Sequence, residues 1–240
     1  RQLSDAGVAR GAAAAARALV ESKASVGRLE QAGEALSAMA RRFEASGDQA
    51  ALAESLLALA TLHSAKNETD KALKALKDAP AMSSLGAASR ELEPHYLKLL
   101  VSVQLAREAS LEAKKAATDM LQLAQGQSDK AMQAAAWSAL ASAGALQARD
   151  EDGSPSLGEE AMRAADKALS LYQETGDRQG QAAAQLAAAR TRLAINRATE
   201  GLATAQDSLE LCKELGQTKG MVSALEVIIQ AHSMAGNPMA

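Results

Sequence analysis

Apolar positions recur along this chain at helical spacing, and the whole pattern then recurs after about 40 residues. The clearest pair lies near the C-terminus. Glu160-Ala161-Met162 leads to Ala165, Ala168, Leu169, Leu171 and Tyr172, and closes on Gly176-Asp177 and Gly180. Gly201-Leu202 leads to Ala205, Ser208, Leu209, Leu211 and Cys212, and closes on Gly216-Gln217 and Gly220, at a constant offset of 40 (from 161 to 201). Upstream, Ala113, Ala117, Met120, Leu121, Leu123 and Ser128-Asp129 match at an offset of 48. Ala72, Leu76 and Ala79 precede these by 41, and Ala32, Leu36, Met39 and Gly47-Asp48 by a further 40. This series marks one helix type, B, starting its small-residue face at 32, 72, 113, 161 and 201. Between its members lies a second type, A, marked by Leu19-Val20, Leu59-Ala60, Leu100-Val101, Leu140-Ala141, Ala188-Ala189 and Ile228-Ile229.

The pattern predicts an all-α chain of antiparallel A–B pairs, about eleven helices in a single array over residues 1–240. The units run over about 8–47, 48–87, 88–128, 129–176 and 177–216, with a final helix A over 217–235. The one long step is assigned to an inserted loop at 150–157, because Gly153 and Pro155 fall there. Gly47-Asp48 and Gly176-Asp177 read as a left-handed helix end followed by an N-cap. Ser128-Asp129 keeps the cap without the glycine, and Gly216-Gln217 keeps the glycine with a weaker cap. Lys66 to Asp70 reads as the turn from A to B in the second unit, and Pro94 as a first-turn proline.

Composition agrees with this picture. Of 240 residues 59 are Ala, hydrophobic residues make 48%, and aromatics only 2%, so β-sandwiches and barrels are excluded. Collagen, disulfide scaffolds and polar disordered chains are excluded as well. Much of the Ala recurs at fixed register, where small side chains let helix axes approach. A net charge of −3, from 26 basic and 29 acidic residues, gives no field for nucleic acid or an anionic membrane. No apolar run reaches the length of a membrane span. The lone Cys212 excludes an intrachain disulfide, reads as a buried thiol, and fits an intracellular, cytoplasmic setting. The Ala- and Arg-rich start, Arg1 to Lys23, resembles a transit peptide in composition. Asp5, Glu21 and the repeat register favour a structural helix instead. The first residue is not Met, which fits a processed chain or a segment of a longer protein.

These features resemble the tetratricopeptide repeat. The small residues Ala60, Ala141 and Ala189 on helix A match that family's pattern, as do Ala32, Ala72, Ala113 and Ala161 early in helix B and Ala79 and Ala168 seven positions on. The 40-residue spacing and the Gly-Asp junction are similar to the long-helix variety of kinesin light chains and Leu-Gly-Asn-repeat proteins. The resemblance covers about residues 10–235. It implies a right-handed α-solenoid in which the A helices line a groove that holds a peptide or helix of a partner protein. The corresponding groove set is Arg17, Leu57, Thr61, Lys98, Ser102, Leu105, Ser138, Ser142, Leu186 and Arg190. Where long-helix members carry a backbone-clamping Asn, this chain has Ala18, Ala58, Leu99, Ala139, Ala187 and Val227. Arg17, Lys98 and Arg190 are too far apart in register to converge on one carboxylate.

Other chemistry is sparse. Asp150-Glu151-Asp152-Gly153 with Glu159 has partial calcium-loop spacing, but Ala148 occupies the first ligand place and Pro155 interrupts the loop, so it reads as a solvated acidic turn. Ser154-Pro155 is a short dipeptide that could take a phosphate. His63, His95 and His232 lie on three different A helices and read as packing or groove-edge residues. Gly176 to Gly180 lacks the lysine and strand of a phosphate loop. Trp137 shares the register of Leu56, Leu97 and Leu225 and is assigned to the core between A and B helices. No cofactor, metal or catalytic site is expected. The expected function is a non-catalytic binding scaffold. The alternative is an assembly subunit or spacer that uses its convex face and terminal helices, with Val222, Leu225, Ile228 and Ile229 uncovered on the last one.

Overall fold

The computed structural model describes residues 26–151 and 154–235, together with Gly7 and Gly11. The helix expected before residue 26, with Arg17, lies outside the described residues, as do Asp152 and Gly153 of the acidic turn. Among the described residues the secondary structure is helical throughout. It comprises α1 (Val26–Ser46), α2 (Gln49–Ala65), α3 (Thr69–Asp78), two 3₁₀ turns (Met82–Ser84 and Gly86–Ala88), α4 (Ser89–Ala106), α5 (Ser110–Gly126), α6 (Lys130–Asp150), α7 (Pro155–Thr175), α8 (Arg178–Ala194), α9 (Ala198–Glu214) and α10 (Thr218–Met234). Among the described residues no helix is long and apolar enough to cross a membrane. The chain divides into two compact units, Arg1–Arg107 and Glu108–Ala240. In each, successive helices pack on one another as an all-α helical repeat.

The period has a simple construction: a helix of 17 residues, then a connection of three. Seven of the connections turn through one left-handed residue each. These are Gly47, Asn67, Glu108, Ser128, Gly176, Asn196 and Gly216, with φ between 55° and 75°. Two backbone bonds close most of these turns in the Schellman manner. Asp48 N donates to Phe43 O at 3.1 Å and Gly47 N to Glu44 O at 3.2 Å; the same pair recurs at Asp129 and Ser128, at Asp177 and Gly176, and at Gln217 and Gly216. Asp48, Asp129 and Asp177 then cap the next helix, accepting from Ala51 N at 3.1 Å, Met132 N at 2.9 Å and Gly180 N at 2.9 Å. Gln217 makes no side-chain cap bond, as its identity foretold.

Two expectations are corrected. Of the extra residues expected as a loop at 150–157, Asp150 and Pro155 to Leu157 are helical, while Glu151 and Ser154 lie outside the helices. Both flanking helices are long: α6 and α7 have 21 residues each rather than 17, about one added turn apiece. Pro155 is the first residue of α7, where its missing N–H costs no hydrogen bond. Pro94 stands inside α4, which starts at Ser89, so it removes one backbone bond from that helix. The helix before it is short: α3 has ten residues and gives way to 3₁₀ turns after Pro80.

The two units build their cores differently. In Arg1–Arg107 the buried residues are large: Leu36, Phe43, Leu57, Leu62, Leu76 and Val103 are each at most 2% exposed. In Glu108–Ala240 the core is largely Ala, with Ala134, Ala141, Ala168, Ala189 and Ala205 all fully buried. Close approach follows. A Cβ built on Gly144 of α6 would stand 2.8 Å from Ala161 Cβ and 3.4 Å from Ala161 Cα on α7. The ring of Tyr172 lies over Gly180, 2.1 Å from where a Cβ would be. Trp137 is half-buried and packs beside Tyr172 and Ala184 on one side and Ala165 and Ala188 on the other, in keeping with its assignment to the core. Leu97 is buried at 7% exposure, but Leu225, in the same register, is 46% exposed and is not core. Ile228 is half-buried against Leu193 and Val227, and so differs from the exposed position expected for it. Cys212 is buried beside Gly220.

Two predictions follow from this packing. Gly144→Ala should destabilise by about 1–3 kcal/mol, because the facing Ala161 backbone has little room to yield. Gly126→Ala, where a Cβ meets nothing within 4 Å, should stabilise by about 0.5–1 kcal/mol; urea unfolding midpoints should therefore move in opposite directions. Both tyrosines of the chain also titrate late. Burial raises the pKa of Tyr96, and burial followed by the Asp177 charge pushes Tyr172 up to about 12. A phenol is charged when it loses its proton, so this contribution is fully present below the unfolded value of about 10 and is lost as pH rises through the folded value. At about pH 10 absorbance at 295 nm should show far less phenolate in the native chain than in urea.

Candidate partner-binding surface

In the Glu108–Ala240 unit the A helices approach one another directly. α6 packs on α8 and α8 on α10, whereas the B helices α7 and α9 do not approach each other in that way. Closer spacing along the A row makes its outer face the concave side of this unit. Ser138 and Ser142 of α6 and Leu186 and Arg190 of α8 belong to this row. The serines are half-buried, and Ser142 Oγ donates to Ser138 O at 3.0 Å. Leu186 is half-buried against Ala189, Leu193, Val227 and Ala231. Arg190 is exposed at its surface, yet the protein around it desolvates the guanidinium and lowers its pKa, with Glu226 of α10 acting in the opposite sense. The row thus offers one charged multi-donor group, hydroxyl lone pairs and a partly covered leucine.

In the Arg1–Arg107 unit α2 and α4 form the corresponding A pair. Thr61 is half-buried and donates to Leu57 O at 2.8 Å; Ser102 is exposed and donates to Leu99 O at 2.9 Å. Lys98 is exposed and Leu105 half-buried. Leu57 is 1% exposed, wholly inside the core, and offers no surface to a partner. α2 is apolar around most of its circumference, so its sequence does not distinguish an outer face, and Leu57 does not belong to the groove set. Thr61, Ser102 and Ser142 thus give their hydroxyl protons to carbonyls of their own helices, which leaves these three side chains as acceptors.

The structure adds a charged cleft in the first unit that the sequence pattern did not single out. It holds about 350 Å³ and is lined by Glu30, Glu34, Arg41, His63, Lys66 and Glu68, among others. Glu68 is its hub: His63 Nδ1 lies 2.6 Å from Glu68 Oε2, with Lys71 Nζ at 3.3 Å and Lys66 Nζ at 3.5 Å from Oε1. The hydrogen bond to His63, followed by contact with Lys71 and the charge of Lys66, holds this carboxyl below the usual glutamate range. In the sequence, Lys66 and Glu68 stand out only as part of the polar turn from Lys66 to Asp70. These groups satisfy one another and secure the turn between α2 and α3.

Among the described residues no group of three or more His, Cys, Asp or Glu side chains is placed to hold a metal ion. His63 and His232 lie in different units, and the described part of the acidic turn, Asp150 and Glu151, ends α6. Asp150 faces Arg149, which also binds Glu108 at 2.9 Å and lowers that carboxyl's pKa. No protein-family model matches the sequence, and no curated protein matches it significantly.

Proposed function

We propose that the chain is a non-catalytic protein-interaction scaffold that holds a segment of a partner protein along its A-helix faces. The observation that carries this reading is the continuous A row of α6, α8 and α10, with the partly desolvated Arg190 at its centre. A guanidinium already stripped of part of its water loses less on pairing with a partner's carboxylate or backbone carbonyl than a fully hydrated one. Leu186 and the small side chains around it leave room for an extended chain or a thin helix. The resemblance to the tetratricopeptide repeat supports the same use of this face, and its missing Asn positions argue against backbone clamping as the main contact. In the first unit, Thr61, Lys98, Ser102 and Leu105 form a second, separate contact face. An intracellular setting, where thiols stay reduced, fits the buried Cys212.

The test is affinity capture with quantitative mass spectrometry, using the full chain and two variants. Ser138→Glu with Ser142→Glu places two charges on the A row, and Arg190→Ala removes its cation. Both should keep the native circular dichroism. The double variant should lose the captured partner, and Arg190→Ala should reduce recovery about tenfold, as expected for loss of one charge-assisted contact. Unchanged capture by both would exclude this face as the binding surface.

A further inference from the structure

Helices α6, α8 and α10 present equivalent positions to the concave side of the second unit, at offsets of 48 and 40 residues. One line across the row is Ser138, Leu186 and Glu226. The next, one turn further along each helix, is Ser142, Arg190 and Gln230. The two charges on these lines sit on neighbouring helices but on different lines. Both side chains are exposed, and among the described residues neither is in an ion pair. Glu226 nevertheless acts electrostatically on Arg190. Packed helix axes lie about 8–10 Å apart, and four residues add about 6 Å along them. The two backbone positions are therefore roughly 10–12 Å apart on the diagonal. Lys219, two turns back on α10, stands at the edge of this face.

The fold leaves both groups unspent. The guanidinium keeps its N–H donors, and the protein has already removed part of their water. Such a fork gains most from an ionised carboxylate, which takes two N–H groups at once and binds about twice as strongly as a neutral acceptor. A carboxylate placed there also enters the field of Glu226 and is repelled by it. A cation on the same segment, set against Glu226, removes that repulsion and pairs the second charge. On α6 the row is neutral. Ser142 Oγ gives its proton to Ser138 O and can only accept, which suits a backbone N–H of an extended chain.

We propose that this face selects its partner by a pair of opposite charges: an extended stretch of small residues with an Asp or Glu opposite Arg190 and, four positions away on the same side, a Lys or Arg opposite Glu226. Four positions of an extended chain span about 13 Å, close to the diagonal between the two groups. The inference rests on the concave-face reading above and adds the chemistry that the partner segment must carry.

The probe is a displayed library of random peptides twelve residues long, panned in parallel on the full chain and on three variants with native circular dichroism. These are Ser138→Glu with Ser142→Glu, Arg190→Ala, and the exchange Arg190→Glu with Glu226→Arg. Peptides enriched at least about tenfold on the parent chain over the serine variant should share an acidic and a basic residue four positions apart, in one order. On the exchanged chain the same spacing should return in the opposite order. On Arg190→Ala, which keeps the reading available should the exchange unfold, the acidic preference should vanish and the basic one remain. Serine-dependent peptides without the charge pair, or an acidic preference that survives Arg190→Ala, would overturn this inference and leave the concave-face reading standing. So would a charge order unchanged by the exchange. No enrichment of the parent chain over the serine variant would overturn both.

Discussion

Backbone approach at alanine and glycine is the constraint on which the Glu108–Ala240 unit depends. Gly144 against Ala161, Gly180 beneath Tyr172 and Gly201 beside Ala189 O leave no room for a larger side chain without movement. Helices that close gain contact along their whole length, and many small dispersion terms add up. The hydroxyl of Ser208 reaches a carbonyl of the neighbouring helix only because that carbonyl is near. The Arg1–Arg107 unit meets the same repeat register with leucine and phenylalanine, and there Gly33 has only Leu62 Cδ2 at 3.7 Å. One sequence period thus supports two packing solutions.

The period and its junctions were readable because their physics is local. A 17-residue helix and a three-residue turn repeat in sequence as they do in space, and Gly-Asp states both the left-handed helix end and the following cap. Other features were less readable. Glu108 and Ser128 take left-handed φ values of 55° without the glycine that would announce them. Gly153 and Pro155 suggested a loop, whereas the proline starts a helix about one turn longer than the 17-residue helices of the array. Leu57 and Leu225 sit in apolar runs whose register does not say whether a further helix will cover them. Coverage is a property of the neighbour, so it entered only with the structure.

The surface chemistry has the same origin. Residues chosen for close stacking leave few groups on the A row that can recognise anything. Thr61, Ser102 and Ser142 commit their protons to their own helices, so Arg190 remains the principal donor on that row in the second unit. Recognition then rests on shape, one cation and acceptor oxygens. Such a surface suits a partner helix or extended segment better than a small polar ligand, which needs several convergent groups.

The most direct measurement is a double-mutant cycle at the tightest backbone approach. Gly144→Ala, Ala161→Gly and the combined exchange would be compared by urea unfolding. If the approach of α6 to α7 sets the packing, the exchange restores the space that the first substitution fills, and the coupling is at least about 1 kcal/mol, well outside the ~0.5 kcal/mol of independent sites. Additive effects would contradict the account, because the two helices would then not be held at the distance on which the rest of the unit is built.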